Sequence, residues 1–157
     1  MKTQVYFEDI KTGEEITHQV VETLSTRSIV KWAAAVKDFY EIHYDKDFAR
    51  AMGMRDVIAH GPNKCALLSR LLLEWMGEGG TLHKISCTHK ASNFPGDKLT
   101  CKGRIKDKYR KDGRNYVECE VWVENQEGIV AAPWTALISL PAKGQLVGLP
   151  ARWRLVV

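Results

Sequence analysis

The stretch from Asn63 to Met76 constrains this chain more than any other. It carries Cys65, Ala66, Leu67, Leu68, Leu71, Leu72, Leu73, Trp75 and Met76, so a helix built from it is apolar nearly all round. Pro62 suits the first turn, where a missing N–H costs no hydrogen bond. Gly77, Gly79 and Gly80 stop the helix. Such a helix has to be wrapped by other elements. The sequence that follows supplies the wrapping, because most of it alternates with the two-residue period of strands.

Four strands are expected after the helix. The first spans Leu82 to Phe94 and the turn Pro95-Gly96-Asp97 follows. Leu99 to Tyr109 alternates Cys101, Gly103 and Ile105 against Lys102, Arg104 and Lys106. Lys111-Asp112-Gly113 is a hairpin signal, leading into Tyr116 to Val123. Asn125 to Gly128 turns again, into Ile129 to Leu140. Read in order, these four form a meander. Before the helix, Val5 to Glu15 reads as a strand-like start and Ile16 to Leu24 as a strand. Ser25 or Thr26 caps a helix from Arg27 to Val36, and Asp45 caps a short one from Lys46 to Ala51. Asp38 to Tyr44 suits neither element and is read as an irregular connection. The sum is an α+β domain in which an antiparallel sheet wraps one long central helix. A single domain is expected over 1–157, with its core at about 5–141 and an unassigned tail at 142–157.

Composition narrows the function. The 157 residues are 45% hydrophobic and 27% charged, which supports a real core. The net charge of +4 is too small and too dispersed for nucleic-acid binding. Lysines and arginines between 84 and 111 read as a solvated sheet face, or as attraction for an anionic ligand such as a nucleotide phosphate. Cys65, Cys87, Cys101 and Cys119 form no Cys-x-x-Cys pair and read as buried thiols, so no metal site is expected from them. No signal peptide and no apolar run of membrane-spanning length is recognised, so a cytoplasmic protein without a membrane partner is expected.

The residues fit for chemistry cluster in two places. Asp38 and His43 offer a carboxylate and an imidazole five residues apart, able to hold one water between them when the backbone is irregular. The same spacing also arises from a helix cap and a surface histidine. Ala59-His60-Gly61-Pro62 leads into the long helix, so the Gly61 N–H and the positive helix end face any incoming ligand. An oxygen gaining negative charge is stabilised there. His60 is read as a brace for the turn. Ser69 lies two turns further on, where its hydroxyl reaches a ligand or bonds back to the Cys65 carbonyl. Tyr40 and Glu41 flank the first cluster. His18, His83 and His89 sit in strand-like runs and are assigned no role.

Taken together, these residues resemble the MaoC-like family of hotdog-fold hydratases and dehydratases, which includes the (R)-specific enoyl-CoA hydratases. That family's motif runs Gly-Asp-x-Asn-Pro-x-His, then an acidic residue and an Ala, then Ala-His-Gly. Asp38 and His43 match its Asp and His, Asp45 and Ala49 follow in step, and Ala59-His60-Gly61 matches the second block. Ser69 stands where the hydratases place a serine. Phe94-Pro95-Gly96-Asp97 looks like a shortened form of the family's strand junction. Lys37, Tyr40 and Glu41 depart from the motif, the latter two between the catalytic pair.

The resemblance implies a hotdog fold that dimerises, with the active site near the interface. Asp38 and His43 would be catalytic, Gly61 would form the oxyanion hole, and Tyr40, Glu41, His60 and Ser69 would bind substrate. The implied reaction is reversible syn addition of water to a trans-2-enoyl thioester, giving a (3R)-hydroxyacyl thioester carried on CoA or acyl carrier protein. It needs no metal and no redox cofactor. Two alternatives share the fold: a catalytic or acyl-binding subunit of a heteromeric dehydratase, and an acyl-CoA thioesterase.

Overall fold

The computed structural model describes residues 4–145. The last twelve positions of the tail lie outside the described residues. Five strands form one antiparallel sheet: β1 (Val20–Thr23), β2 (Thr81–Ser86), β3 (Lys98–Lys111), β4 (Arg114–Glu124) and β5 (Val130–Ser139). Three α-helices accompany them: α1 (Thr26–Val36), α2 (Lys46–Ala51) and α3 (Gly61–Met76). The sheet curls around α3, which is the hotdog arrangement the resemblance implies. No helix among the described residues is long and apolar enough to cross a membrane.

The inner faces of the sheet and α3 make the core. Alternation along β3 and β4 turns Cys101, Ile105, Cys119, Val121 and Val123 inward, against Leu68, Leu71 and Leu72 of the helix. The expectation of a helix buried on every side needs correction. Leu73 is 51% exposed, and Ala66 also faces outward. Periodicity records that a face is apolar, and it does not distinguish burial in the same chain from burial against another.

The strand order is β1-β3-β4-β5-β2. The β3-β4-β5 portion is the expected meander. Its first hairpin turns at Asp112 (φ 49°) and Gly113 (φ 73°), the left-handed pair of a tight two-residue turn. The first strand after the helix does not join the meander in sequence order, because β2 pairs with β5 at the opposite edge from β1. It also ends at Ser86 and not at Phe94. Residues 87–97 leave the sheet, cross beneath the N-terminus of α3, and return at β3. Hydrogen bonds outside the regular ladder hold this crossover: Ala59 N–H donates to the Asn93 carbonyl at 2.9 Å, and Lys64 Nζ donates to the Ala91 carbonyl at 2.9 Å. Cys87 is consequently exposed and Cys65 half-buried, against the expectation of four buried thiols. Cys101 and Cys119 are buried, which pushes both thiols up to about 12.

The N-terminal part departs as well. Val5 to Glu15 is not a strand. It holds a 3-10 turn at Phe7–Asp9 and meets β3 only at its end, where Gly13 N–H donates to the Ile105 carbonyl and Ile105 N–H to the Glu14 carbonyl, each at 2.8 Å, beside an isolated bridge of Glu15 with Arg104. Lys108 Nζ donates to the carbonyls of Phe7 and Ile10, both at 2.7 Å, and satisfies backbone that a ladder would otherwise serve. Other cations on the sheet face meet carboxylates: Arg104 with Glu120, Arg110 with Glu8, and Lys102 with Glu124.

Candidate active site

Three local structures place the site. Helix α1 starts on a capping box between Ser25 and Ser28 and ends on Lys37 in the left-handed conformation (φ 59°). That reversal puts Asp38 just past the helix end. A 3-10 turn, Glu41–His43, then turns His43 inward, and Asp45 caps α2 by accepting from the N–H groups of Asp47 and Phe48. The third is the start of α3. Pro62 lacks an N–H, so Gly61 is a first-turn donor free of intrahelical demand.

Asp38 and His43 converge with His60. One carboxylate oxygen and one ring nitrogen from each histidine lie within 4.8 Å of one another. The His43 and His60 rings stack with centroids 3.5 Å apart and planes 21° apart. His43 Nδ1–H donates to the Ile58 carbonyl at 2.7 Å. A carbonyl only accepts, so this bond fixes the tautomer of the neutral ring and leaves Nε2 as the acceptor nitrogen. His60 Nε2–H donates to the Asp38 carbonyl at 3.2 Å, and lies 3.9 Å from its carboxylate. His60 Nδ1 is buried without a partner. Burial holds the His60 imidazole below its ordinary range, opposed by the Asp38 carbonyl, so the neutral ring is favoured.

Could the cluster hold a metal? Stacked rings send their in-plane lone pairs side by side, whereas a zinc ion needs them to converge at about 2.0–2.1 Å. The arrangement suits a water between carboxylate and imidazole better. Asp38 is 48% exposed, so the cluster is open to solvent on the carboxylate side.

A cavity of about 340 Å³ adjoins the pair, lined by His43, Ile58, Gly61, Lys64, His89 and neighbouring residues. A larger concavity lies elsewhere, over β4 and β5, and holds none of these groups. The cavity contains two side chains to which sequence reasoning gave no role. Lys64 is 3% exposed, and burial alone pushes its amine below the ordinary lysine range. His89 lies against Gly61, with its ring edge-on to Trp134 at 5.5 Å. A Cβ at position 61 would sit 2.6 Å from His89 Nε2, so any larger residue here has to displace that ring. Lys64 was detectable as the one charge in the first turn of an apolar helix, three residues after Gly61. His89 carried no local signal, because it depends on the crossover.

The other expected residues fall in different places. Tyr40 packs edge-on to His43 and Phe48 at the rim. Glu41 opens the 3-10 turn with its side chain in solvent. Ser69 stands roughly 12 Å along α3 from Gly61, beside the Cys65 thiol, and does not line the cavity. His18 bonds Glu74 at 2.7 Å and His83 bonds Ser139 at 2.9 Å, both away from the site.

Residues 8–127 match the model of the MaoC like domain. The chain belongs to the MaoC-like family. Solved MaoC-like structures share its fold at low identity. The (R)-hydratase from A. caviae involved in PHA biosynthesis is 24% identical, with 85% of this chain and 99% of that one covered at a TM-score of 0.76. The R-hydratase PhaJ1 from Pseudomonas aeruginosa is 22% identical, with 94% of each covered at 0.78. A chain of the ChsH1-ChsH2 complex from Mycobacterium tuberculosis is 22% identical, with 83% and 98% covered at 0.72. Among curated relatives, the 3-oxo-4,17-pregnadiene-20-carboxyl-CoA hydratase beta subunit of Mycobacterium tuberculosis is 27% identical over 77 residues. That match spans 49% of this chain and 60% of the relative.

Proposed function

We propose that this MaoC-like protein is a hydro-lyase that interconverts trans-2-enoyl and (3R)-hydroxyacyl thioesters, carried on CoA or acyl carrier protein. The observation that carries the reading is that an Asp38 carboxylate oxygen and a His43 ring nitrogen lie within 4.8 Å of one another, while His43 and Gly61 line one cavity. In the hydration direction the thioester oxygen accepts a hydrogen bond from Gly61 N–H. That bond strengthens as the oxygen takes up enolate charge. Water held between Asp38 and His43 gives its oxygen to the β-carbon and one proton to the pair. The pair returns one proton to the α-carbon, so H and OH are added and both groups are restored. The stacked, neutral His60 keeps His43 in place and adds no charge. All the groups this chemistry uses are side chains and backbone of the chain, with no added cofactor.

The test is loss of enoyl absorbance on a panel of enoyl-CoA thioesters. Asp38→Asn and His43→Ala should each lower the rate roughly 10²- to 10⁴-fold while staying folded. Wild-type turnover in both variants refutes the reading. Thiol release measured in parallel separates a thioesterase.

A second chain is part of the proposal. Exposed Phe39 and Tyr40 beside Asp38 leave apolar surface at the site, and exposed Leu73 leaves more toward the far end of α3. A homodimer, or pairing with another MaoC-like chain as in the ChsH1-ChsH2 complex, would cover it. The mass of the isolated protein in solution, alone and with a candidate partner chain, distinguishes the two.

A further inference from the structure

Lys64 is a buried cation with no counter-charge. No carboxylate forms an ion pair with it among the described residues, and its one protein acceptor is the neutral Ala91 carbonyl. It sits at the helix end that already carries positive partial charge. His89 and Lys90 line the same cavity, and no Asp or Glu does. Keeping an ammonium there empty-handed is costly, since a buried charge needs a partner. An acyl tail that is purely hydrocarbon would leave that charge unanswered.

We infer that Lys64 forms a subsite for a carboxylate borne by the acyl group, so that the preferred substrates are short dicarboxylic acyl thioesters. The inference rests on the thioester carbonyl lying at Gly61. Residues three apart on a helix have Cβ atoms about 5–6 Å apart, so Lys64 stands on the same face, one turn along from Gly61. A short acyl chain anchored at its thioester end reaches that point with its far end. The phosphates of the CoA carrier are too bulky for a group only 3% exposed, whereas a carboxylate within the cavity of about 340 Å³ fits. An anion there also restores the ammonium that burial disfavours, by supplying the missing charge.

The test is a binding measurement, so it reads the subsite whether or not the protein hydrates an enoyl group. Glutaryl-CoA and hexanoyl-CoA are titrated by calorimetry into the wild type, Lys64→Met and Lys64→Gln. Gln keeps a donor for the Ala91 carbonyl and removes the charge, so it preserves the crossover contact. The wild type should favour glutaryl-CoA by roughly tenfold or more, and both variants should lose that preference while holding hexanoyl-CoA within about twofold. Equal wild-type affinities overturn the proposal. So does a variant that weakens both ligands alike, because Lys64 then only braces the crossover. A retained preference in a protein that hydrates no thioester rejects the hydratase reading and leaves the subsite standing.

Discussion

Replacing Gly61 by alanine probes the site where its packing is tightest. The new Cβ would lie 2.6 Å from His89 Nε2, 2.8 Å from Cε1 and 3.1 Å from Cδ2. Ordinary contact requires the ring to retreat by about 1 Å. His89 is exposed on its outer side, so it can swing toward solvent. The swing loses the edge-on contact with Trp134, about 0.5–1.5 kcal/mol. Alanine in the helix returns about 0.5–1 kcal/mol by restricting the unfolded backbone. The two nearly cancel, so melting should be almost unchanged. Catalysis should not be. The methyl group enters the cavity beside the N–H proposed to bind the thioester oxygen, and a misplacement of about 1 Å costs on the order of 10²-fold. The assay is kcat/KM for enoyl-CoA hydration together with a thermal melt. A double variant, G61A with His89→Ala, removes the obstructing ring and should recover part of the loss. Wild-type kcat/KM in G61A refutes the argument, and so does a rate penalty of the same size in the presence and absence of His89.

Three further outcomes are expected. Burial depresses the His60 pKa, so the unfolded chain binds a proton that the native state resists. Stability is therefore full above the ordinary value of 6.5 and falls as pH drops below it, by about 1.4 kcal/mol per unit of depression. Thermal melts across that range should show a steeper acid decline in the wild type than in His60→Phe, and parallel curves contradict the assignment. Asp97, 3% exposed, accepts from Phe94 N–H at 2.9 Å and faces Arg55 at 3.3 Å. Asp97→Ala should cost about 1–3 kcal/mol in urea denaturation, and a loss below about 0.5 means the backbone alone holds this turn. Leu68→Ala, on the fully buried face of α3, should cost about 2–5 kcal/mol in the same experiment, whereas Leu73→Ala on the exposed stripe should cost far less in the monomer.

Legibility in the sequence followed the range of the interaction. Ser25, Asp45 and the Asp112-Gly113 turn act on neighbours within a few residues, and each appears where the sequence places it. Asp38 and His43 were recognisable because a short irregular segment joins them and a family motif spans it. Val5 to Glu15 reads as a strand-like start but forms none, because part of its backbone is satisfied by Lys108, far along the chain, which takes up the Phe7 and Ile10 carbonyls. Leu82 to Phe94 misread as one strand for a similar reason. Its second half keeps only a local tie to β5, Lys90 and Ala91 N–H donating to the one Ala131 carbonyl, and otherwise bonds the approach to α3 and its first turn.

The sequence by itself determined that a long apolar helix must be wrapped by an antiparallel sheet, and it singled out a carboxylate, an imidazole and a helix end as the groups to examine together. Periodicity, capping and turn preferences are local, so they survive translation into one dimension. The tertiary structure alone decided what surrounds those groups. The crossover from β2 to β3 carries His89 onto Gly61 and gives Lys64 its carbonyl. That arrangement depends on which edge of the sheet β2 joins, a choice made by the packing of the whole core.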